Sequence, residues 1–299
     1  MKGRLKVWGR MGPWIGAGAL AYSGLGDSMA DFEYNAVVAQ RVEVAPGLLI
    51  LRTVPRGWEP APFKAGQYTV LGLRGDAPRL EGCDPEVPPP EPGKVIRRAY
   101  SIASSSVDRS YLEFYIALVK SGALTPRLFA LRVGDPLFLS PRPVGIFTLD
   151  RVPEGHHLVL VATGTGLAPY MSMLRTHLMD PERGKTVVLH GARHSWDLGY
   201  RAELETMQRL SPRFNYIPVV SDPREEIVPW SGFTGFLHHF WTSPVRDLAF
   251  GFTPRPQDTH VFLCGNPLMV EAMMEVLAAE GFAEGGPGKT GQIHREKYW

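Results

Sequence analysis

His157-Leu-Val-Leu-Val-Ala162, running on into Thr163-Gly-Thr-Gly-Leu-Ala-Pro169, is the stretch whose reading decides the fold. A continuous apolar run of this kind reads as a strand buried on both faces, as in parallel sheets. Glycines then make a turn, and a helical stretch follows to about Leu178. The pattern recurs downstream: Thr186–His190 reads as a second strand, Glu203–Leu210 as a helix, Phe214–Val220 as a third strand and His260–Cys264 as a fourth. A last helix is expected from Pro267 to Glu280, with Asn266 as N-cap, Pro267 at the first helical position and Gly281 as terminator. Strands alternating with helices predict an α/β doubly wound parallel sheet.

Upstream the period changes. Tyr34–Val44, Leu48–Val54, Gln67–Leu73, Tyr100–Ser104, Leu112–Leu118 and Pro136–Leu139 are short, rich in β-branched and aromatic residues, and separated by Gly and Pro. That spacing predicts an all-β barrel or sandwich. Gly75–Lys94 contains Cys83-Asp-Pro-Glu-Val-Pro-Pro-Pro-Glu-Pro-Gly93 and reads as a surface loop with polyproline character. The two halves meet near Leu149–Glu154, so residues 31–150 and 151–299 are taken as two domains. Residues 1–30 stand apart. Their basic start and mildly apolar continuation have the outline of a signal peptide, but glycines and Pro13 break the apolar run. It is too weak to span a membrane. The simpler reading is a disordered tail, or a segment upstream of a true start at Met29.

Composition narrows the function. A 299-residue chain with 44% apolar and 21% charged residues is globular and long enough for two domains. The formal net charge of +2 argues against a dedicated nucleic-acid binder. Two cysteines, Cys83 and Cys264, exclude a disulfide framework and an all-cysteine iron–sulfur cluster. No C-x-x-C or H-x-x-x-H zinc pattern occurs, and no metal site is expected.

Two constellations carry chemistry. In Arg98-Ala-Tyr-Ser101, an arginine can pair a pyrophosphate, a tyrosine can lie flat on an isoalloxazine and a serine can hydrogen-bond its reactive edge. Some twenty residues on, Gly122-Ala-Leu-Thr125-Pro126 reads as a helix N-terminus, with Thr125 as N-cap and Pro126 at the first position, suited to a phosphate. Together they read as a flavin clamp, the flavin carrying the chemistry. The second constellation lies at the carboxyl ends of the parallel strands, where such sheets bind ligands. Gly164-Thr-Gly166 follows the first strand and opens a helix, although Pro169 stands where a third glycine would complete a dinucleotide fingerprint. The second strand ends His190-Gly-Ala-Arg193, and an arginine there suits a 2′-phosphate better than a bare diol. Arg201 and Arg224 can assist, or can be ordinary solvated arginines. Cys264 reads either as a small buried hydrophobe or as a compact side chain beside a nicotinamide.

In this order the motifs resemble the ferredoxin–NADP⁺ reductase family, its bacterial flavodoxin/ferredoxin reductase branch in particular. The resemblance runs from about Phe32 to Trp299 through Arg98–Ser101, Leu112-Glu-Phe-Tyr115, Gly122–Leu128, Ala162–Gly166 with Pro169-Tyr170, Leu263–Pro267 with Met269, and Tyr298-Trp299. It implies an antiparallel β-barrel that binds FAD, followed by an NADP(H)-binding α/β domain. By the same resemblance Arg98 contacts the FAD pyrophosphate, Tyr100 stacks on the isoalloxazine and Ser101 approaches its N5. Gly122, Leu124 and Thr125 cradle the pyrophosphate. Thr163, Gly164, Thr165 and Gly166 hold the nicotinamide dinucleotide, and Cys264 lies near the nicotinamide. One of Tyr298 and Trp299 covers the flavin; which one stays open. Glu296 matches an acidic residue that some members use at the active site.

The chain departs from its relatives in two places. Thr234-Gly-Phe236 stands where relatives often carry Thr-Gly-Arg, and Asp222-Pro-Arg224 follows Val219-Val-Ser221 where they have an arginine. The expected activity is electron transfer between NADPH and a ferredoxin or flavodoxin. The alternatives are an NADH-dependent reductase component of an oxygenase and an FAD-binding redox sensor without turnover. The carriers are usually acidic, and Arg97, Arg109, Lys120, Arg127, Arg132 and Arg142 are candidates to guide them. A cytoplasmic monomer is expected, with no membrane segment and no nucleic-acid partner.

Overall fold

A computed structural model describes residues 33–91, 93–180, 182–286 and 288–296. The reading of residues 1–30 therefore lies outside the described residues. The first half holds β1 (Ala36–Ala45), β2 (Leu48–Pro55), β3 (Tyr68–Arg74), β4 (Val95–Ser101), β5 (Leu112–Ala117), α1 (Thr125–Ala130) and β6 (Pro136–Leu139). The β1–β2 hairpin turns at Pro46-Gly47, where the fixed φ of proline precedes a glycine at φ +78°. The strands pair antiparallel in the order β4-β3-β6-β1-β2-β5. Beyond β4, Ile102 bridges Phe114 of β5 and closes the sheet into a barrel. Leu49, Leu51, Leu71 and Phe114 fill it, and α1 adds Leu128 and Phe129 to the same core. β4 starts and ends earlier than the expected Tyr100–Ser104 segment, because Val95–Ser101 is held in register against β3 although Arg97 and Arg98 interrupt its apolar pattern.

The second half contains β7 (His157–Thr163), α2 (Ala168–His177), β8 (Thr186–Ala192), α3 (Arg201–Leu210), β9 (Phe214–Val220), β10 (Phe233–Thr234), α4 (Leu237–Trp241), α5 (Arg246–Phe250), β11 (Thr259–Cys264), α6 (Pro267–Ala279) and β12 (Ile293–Glu296). All strands are parallel, in the order β10-β9-β8-β7-β11-β12. The chain moves outward on one side of β7 and then returns to its other side. The switch point therefore lies between β7 and β11, where a ligand crevice is expected. Successive residues of β7 serve opposite faces: Val159 and Val161 pack with Trp241, Phe250 and Met273, whereas Leu158, Leu160 and Ala162 pack with Met171, Leu174 and the barrel residues Ala103 and Tyr115.

A buried ionic network also joins the two halves. Glu113 on β5 is fully buried. Its carboxylate accepts from Arg52 Nε at 2.5 Å, Arg175 Nη1 at 2.7 Å and the Tyr200 hydroxyl at 2.7 Å. Arg175 on α2 also donates to Ala103 O at 2.8 Å and pairs with Glu203 at 2.7 Å. Tyr200 sits at the start of α3 with φ 60°, a left-handed conformation that is strained for a non-glycine residue. That conformation accompanies the hydroxyl's bond to Glu113.

Candidate active site

The barrel contributes a cavity of about 330 Å³. Arg98, Tyr100 and Ser101 of β4 line one side of it; Gly122, Leu124 and Thr125 line another. The alternation of β4 explains part of this: Tyr100 is half-buried and Ser101 buried, while Arg98 is exposed. Arg98 makes no ion pair among the described residues, and its guanidinium donates to Arg97 O at 2.8 Å. A cation without a carboxylate, a flat ring and a hydroxyl along one groove form a donor set that fits a flavin dinucleotide.

Thr125 departs from its expected role. It is the first residue of α1, not its cap, and Leu124 stands at the N-cap without a side-chain bond. The Thr125 hydroxyl instead accepts from Val119 N at 3.0 Å and donates to Val119 O at 3.1 Å, pinning the turn around Gly122. A Cβ on Gly122 would come within 3.0 Å of Val119 O, so the turn closes tightly there. With only six residues, α1 is no strong dipole for an anion; any phosphate site here rests on the turn and on Arg98.

The second cavity, about 490 Å³, opens at the carboxyl ends of β7, β8, β9 and β11. Thr163 and Gly164 form one wall, Arg193 and Ser221 another, and Asn266 and Met269 a third. Gly164–Leu167 is a single tight helical turn that leads into α2, with Pro169 at its second position. The two glycines of this loop do different work. Gly164 has φ +52°, and a Cβ there would meet only open space. Gly166 is required for contact: its Cβ would lie 2.2 Å from Cys264 O, so the loop rests directly on the end of β11. Asn266 N donates to Thr163 Oγ1 at 2.8 Å, and Asn266 Oδ1 caps α6 through Leu268 N at 2.8 Å, as the sequence predicts.

The two cavities share a wall, for Thr165 and Ala168 line the first while Thr163 and Gly164 line the second. At this junction the structure gathers Ser101, Cys264 and Glu296. Cys264 is fully buried and pairs in register with Glu296 of β12. Ser101 Oγ donates to Glu296 Oε2 at 3.5 Å. Burial pushes the Glu296 carboxyl up to about 7, against the opposing pull of the Ser101 hydrogen bond. A carboxyl poised near neutrality behind a cavity-lining serine is suited to proton transfer.

Other expected residues fall elsewhere. Arg193 lines the second cavity; Arg201 and Arg224 do not. Arg201 pairs with Glu205 at 2.7 Å and lies over the Trp230 ring, and Arg224 pairs with Asp222 at 3.0 Å. Tyr298 and Trp299 lie outside the described residues. Arg127 is corrected as a carrier-guiding residue: its side chain is 2% exposed, bonds Gly75 O, and pairs with Glu86 at 2.7 Å, anchoring the proline-rich loop. Arg97, Lys120, Arg132 and Arg142 are exposed, and Arg109 is half-buried. The sequence reading missed Glu113. Alternation along Leu112-Glu-Phe-Tyr115 sends Phe114 into the barrel and Glu113 outward, and a sequence cannot tell that this outer face is covered by the second half.

Residues 160–275 match the family model described as an oxidoreductase NAD-binding domain. The chain is 34% identical over 240 residues to the flavodoxin/ferredoxin–NADP reductase of Shigella flexneri, covering 80% of this chain and 88% of that protein. It is 31% identical to the ferredoxin–NADP reductase of Azotobacter vinelandii, over 74% of this chain and 79% of that one. Its fold is that of a ferredoxin NADP⁺ reductase from Neisseria gonorrhoeae solved with bound FAD and NADP, with a TM-score of 0.74 and 23% identity over 89% of this chain and 98% of the other.

Proposed function

Because the chain belongs to the flavodoxin/ferredoxin–NADP reductase family, we propose that it is an FAD-dependent oxidoreductase moving electrons between NADP(H) and a ferredoxin or flavodoxin. The observation that carries this reading is the wall shared by the barrel cavity, lined by Arg98, Tyr100 and Ser101, and the cavity at the carboxyl ends of the parallel strands, with Ser101, Cys264 and Glu296 near their junction. Residues 31–150 form the flavin domain in this reading, and 151–299 the nicotinamide domain. FAD, when bound, exchanges the electron pair of a reduced nicotinamide for single electrons at the carrier.

The protein's own residues bind, orient and exclude water. Arg98 supplies the positive charge for the pyrophosphate, with Gly122, Leu124 and Thr125 forming the turn that receives it. Tyr100 gives the flat apolar face on which the ring system rests, and its burial pushes the phenol up, so it stays neutral. Thr163–Gly166 position the dinucleotide from the other side. Cys264, compact and fully buried against the Gly164–Leu167 turn, would leave room at the junction for two rings to approach in near-attack geometry. Ser101 and Glu296 hold a proton between Oγ and Oε2, available at the ring edge when charge develops there.

For the carrier, Arg97, Lys120, Arg132 and Arg142 offer exposed positive charge to an acidic partner. No helix among the described residues is long and apolar enough to cross a membrane. The reading places the protein in the cytoplasm as a monomer with no nucleic-acid partner. The test is anaerobic reduction of cytochrome c by NADPH through added ferredoxin or flavodoxin. The rate is expected to require protein and carrier together and to fall with salt. Carrier-independent rates would contradict the assignment.

A further inference from the structure

Beside Arg193 and Ser221, which line one end of the second cavity, stands more negative charge than a phosphate site should carry. β8 and β9 end side by side there, with Ser221 N donating to Ala192 O at 2.9 Å and Asp222 N to Arg193 O at 2.9 Å. At the end of this second strand, doubly wound folds read the adenosine ribose. A carboxylate accepts from the 2′-hydroxyl of NAD, whereas an arginine accommodates the 2′-phosphate of NADP. Both groups are present here, and they hold each other.

Arg193 Nη2 lies 3.5 Å from Asp222 Oδ2 and 3.7 Å from Glu225 Oε1. Arg224 Nε lies 3.0 Å from the other oxygen of the same Asp222. Asp222 thus stands between two guanidiniums. Its side chain is 16% exposed, against 64% for Arg193 and 87% for Arg224, and it directly follows Ser221, which lines the cavity together with Arg193, so the carboxylate is the least solvated member of the cluster beside the wall. The hydrogen bond from Arg224 holds the Asp222 carboxyl below the usual carboxylate range, so it is ionised at neutral pH. Around it, Glu225 receives His194 Nε2 at 2.8 Å, and Glu226 takes both the Ser195 amide and hydroxyl at 2.6 Å.

A 2′-phosphate, carrying close to two negative charges, must either draw both arginines away from Asp222 or share them with it against like-charge repulsion. A ribose diol donates to Asp222 and leaves both ion pairs standing. The neighbouring segment after β10, where Gly235 N donates to Val220 O at 2.9 Å, does not tip the balance toward the phosphate. Phe236 is 59% exposed there, its ring 9° from parallel with His238, and it offers an aromatic face to an adenine common to both dinucleotides.

We propose that Asp222, supported by Glu225, makes this cavity a reader of the ribose diol, so that the protein accepts NADH on a par with NADPH. The proposal rests on the cavity being the nicotinamide dinucleotide site. The experiment is calorimetric titration of the FAD-loaded protein with NAD⁺ and with NADP⁺, alongside kcat/KM for NADH and NADPH. The two dissociation constants are expected within tenfold of each other, or NAD⁺ tighter. NADP⁺ binding more than tenfold tighter overturns the proposal. The double variant Asp222→Asn/Glu225→Gln is expected to tighten NADP⁺ at least threefold; a smaller gain, or a loss, overturns the role of these carboxylates. Failure of both dinucleotides to bind wild-type protein would overturn the nucleotide-site reading itself, an outcome distinct from a wrong preference.

Discussion

Replacing Glu113 with glutamine keeps the shape of a side chain that is fully buried and removes the charge that three donors share. Its single oxygen can serve Arg175 and Tyr200, which share Oε1, or Arg52 at Oε2, and the NH₂ then faces the donor on the other side. Arg175 keeps Glu203 at 2.7 Å and loses the carboxylate that ties α2 to the barrel. Breaking a buried pair on one side costs about 3–5 kcal/mol. In a protein of this size each kcal/mol shifts Tm by roughly 2–4 °C, so a fall of roughly 6–20 °C is expected. Thermal unfolding followed by circular dichroism on FAD-loaded protein reads it. The pH dependence gives an internal control. Burial alone would raise the Glu113 carboxyl, but the charge of Arg175 and the hydrogen bonds from Tyr200, Arg175 and Arg52 bring it below its ordinary 4.5. A depressed folded-state pKa means that the stabilisation is present above about pH 4.5 and is lost as pH falls through the folded value. The gap between wild type and Glu113→Gln should therefore narrow in acid. A Tm loss below about 2 °C at pH 7, or a gap independent of pH, would refute the reasoning.

Three further outcomes are expected. Gly166→Ala forces a Cβ to 2.2 Å from Cys264 O. Both groups are backbone-anchored, so Tm should fall by several degrees and dinucleotide affinity should drop at least tenfold, whereas Gly164→Ala, facing open space, costs only its φ strain of about 1 kcal/mol. Arg98→Ala should purify with substoichiometric flavin and bind FAD roughly ten- to a hundredfold more weakly, as measured by fluorescence titration; this matches the ~1.5–3 kcal/mol of a charge-assisted bond. With the Glu296 carboxyl near 7, the turnover rate should decline as pH rises through 7 and the proton is lost. Glu296→Gln should flatten that profile, and an unchanged profile would remove Glu296 from the proton path.

Legibility differed from element to element. Pro136–Leu139 and Phe214–Val220 were readable to the residue, and β7 with its glycine loop nearly so, because apolar runs bounded by turn residues leave no competing period. β12 was not found: Ile293-His-Arg-Glu296 has one aliphatic residue and becomes a strand only by pairing with β11. The two-residue β10 and the five-residue α4 and α5 are likewise too short to show a period. Ser101, Cys264 and Glu296 stand out in the sequence as separate motif residues, and the structure adds that Glu296 lies beside both of the others. Arg127 looked like surface charge because no local pattern shows that Glu86, forty-one positions earlier, folds back onto it.

Anaerobic stopped-flow mixing of the FAD-loaded protein with NADPH and with NADH, followed at the flavin absorbance band, reads the electron path itself. Rapid bleaching by the reduced dinucleotide is expected, then recovery of the band when oxidised ferredoxin or flavodoxin is added. A protein that takes up FAD yet is bleached by neither dinucleotide would contradict that path.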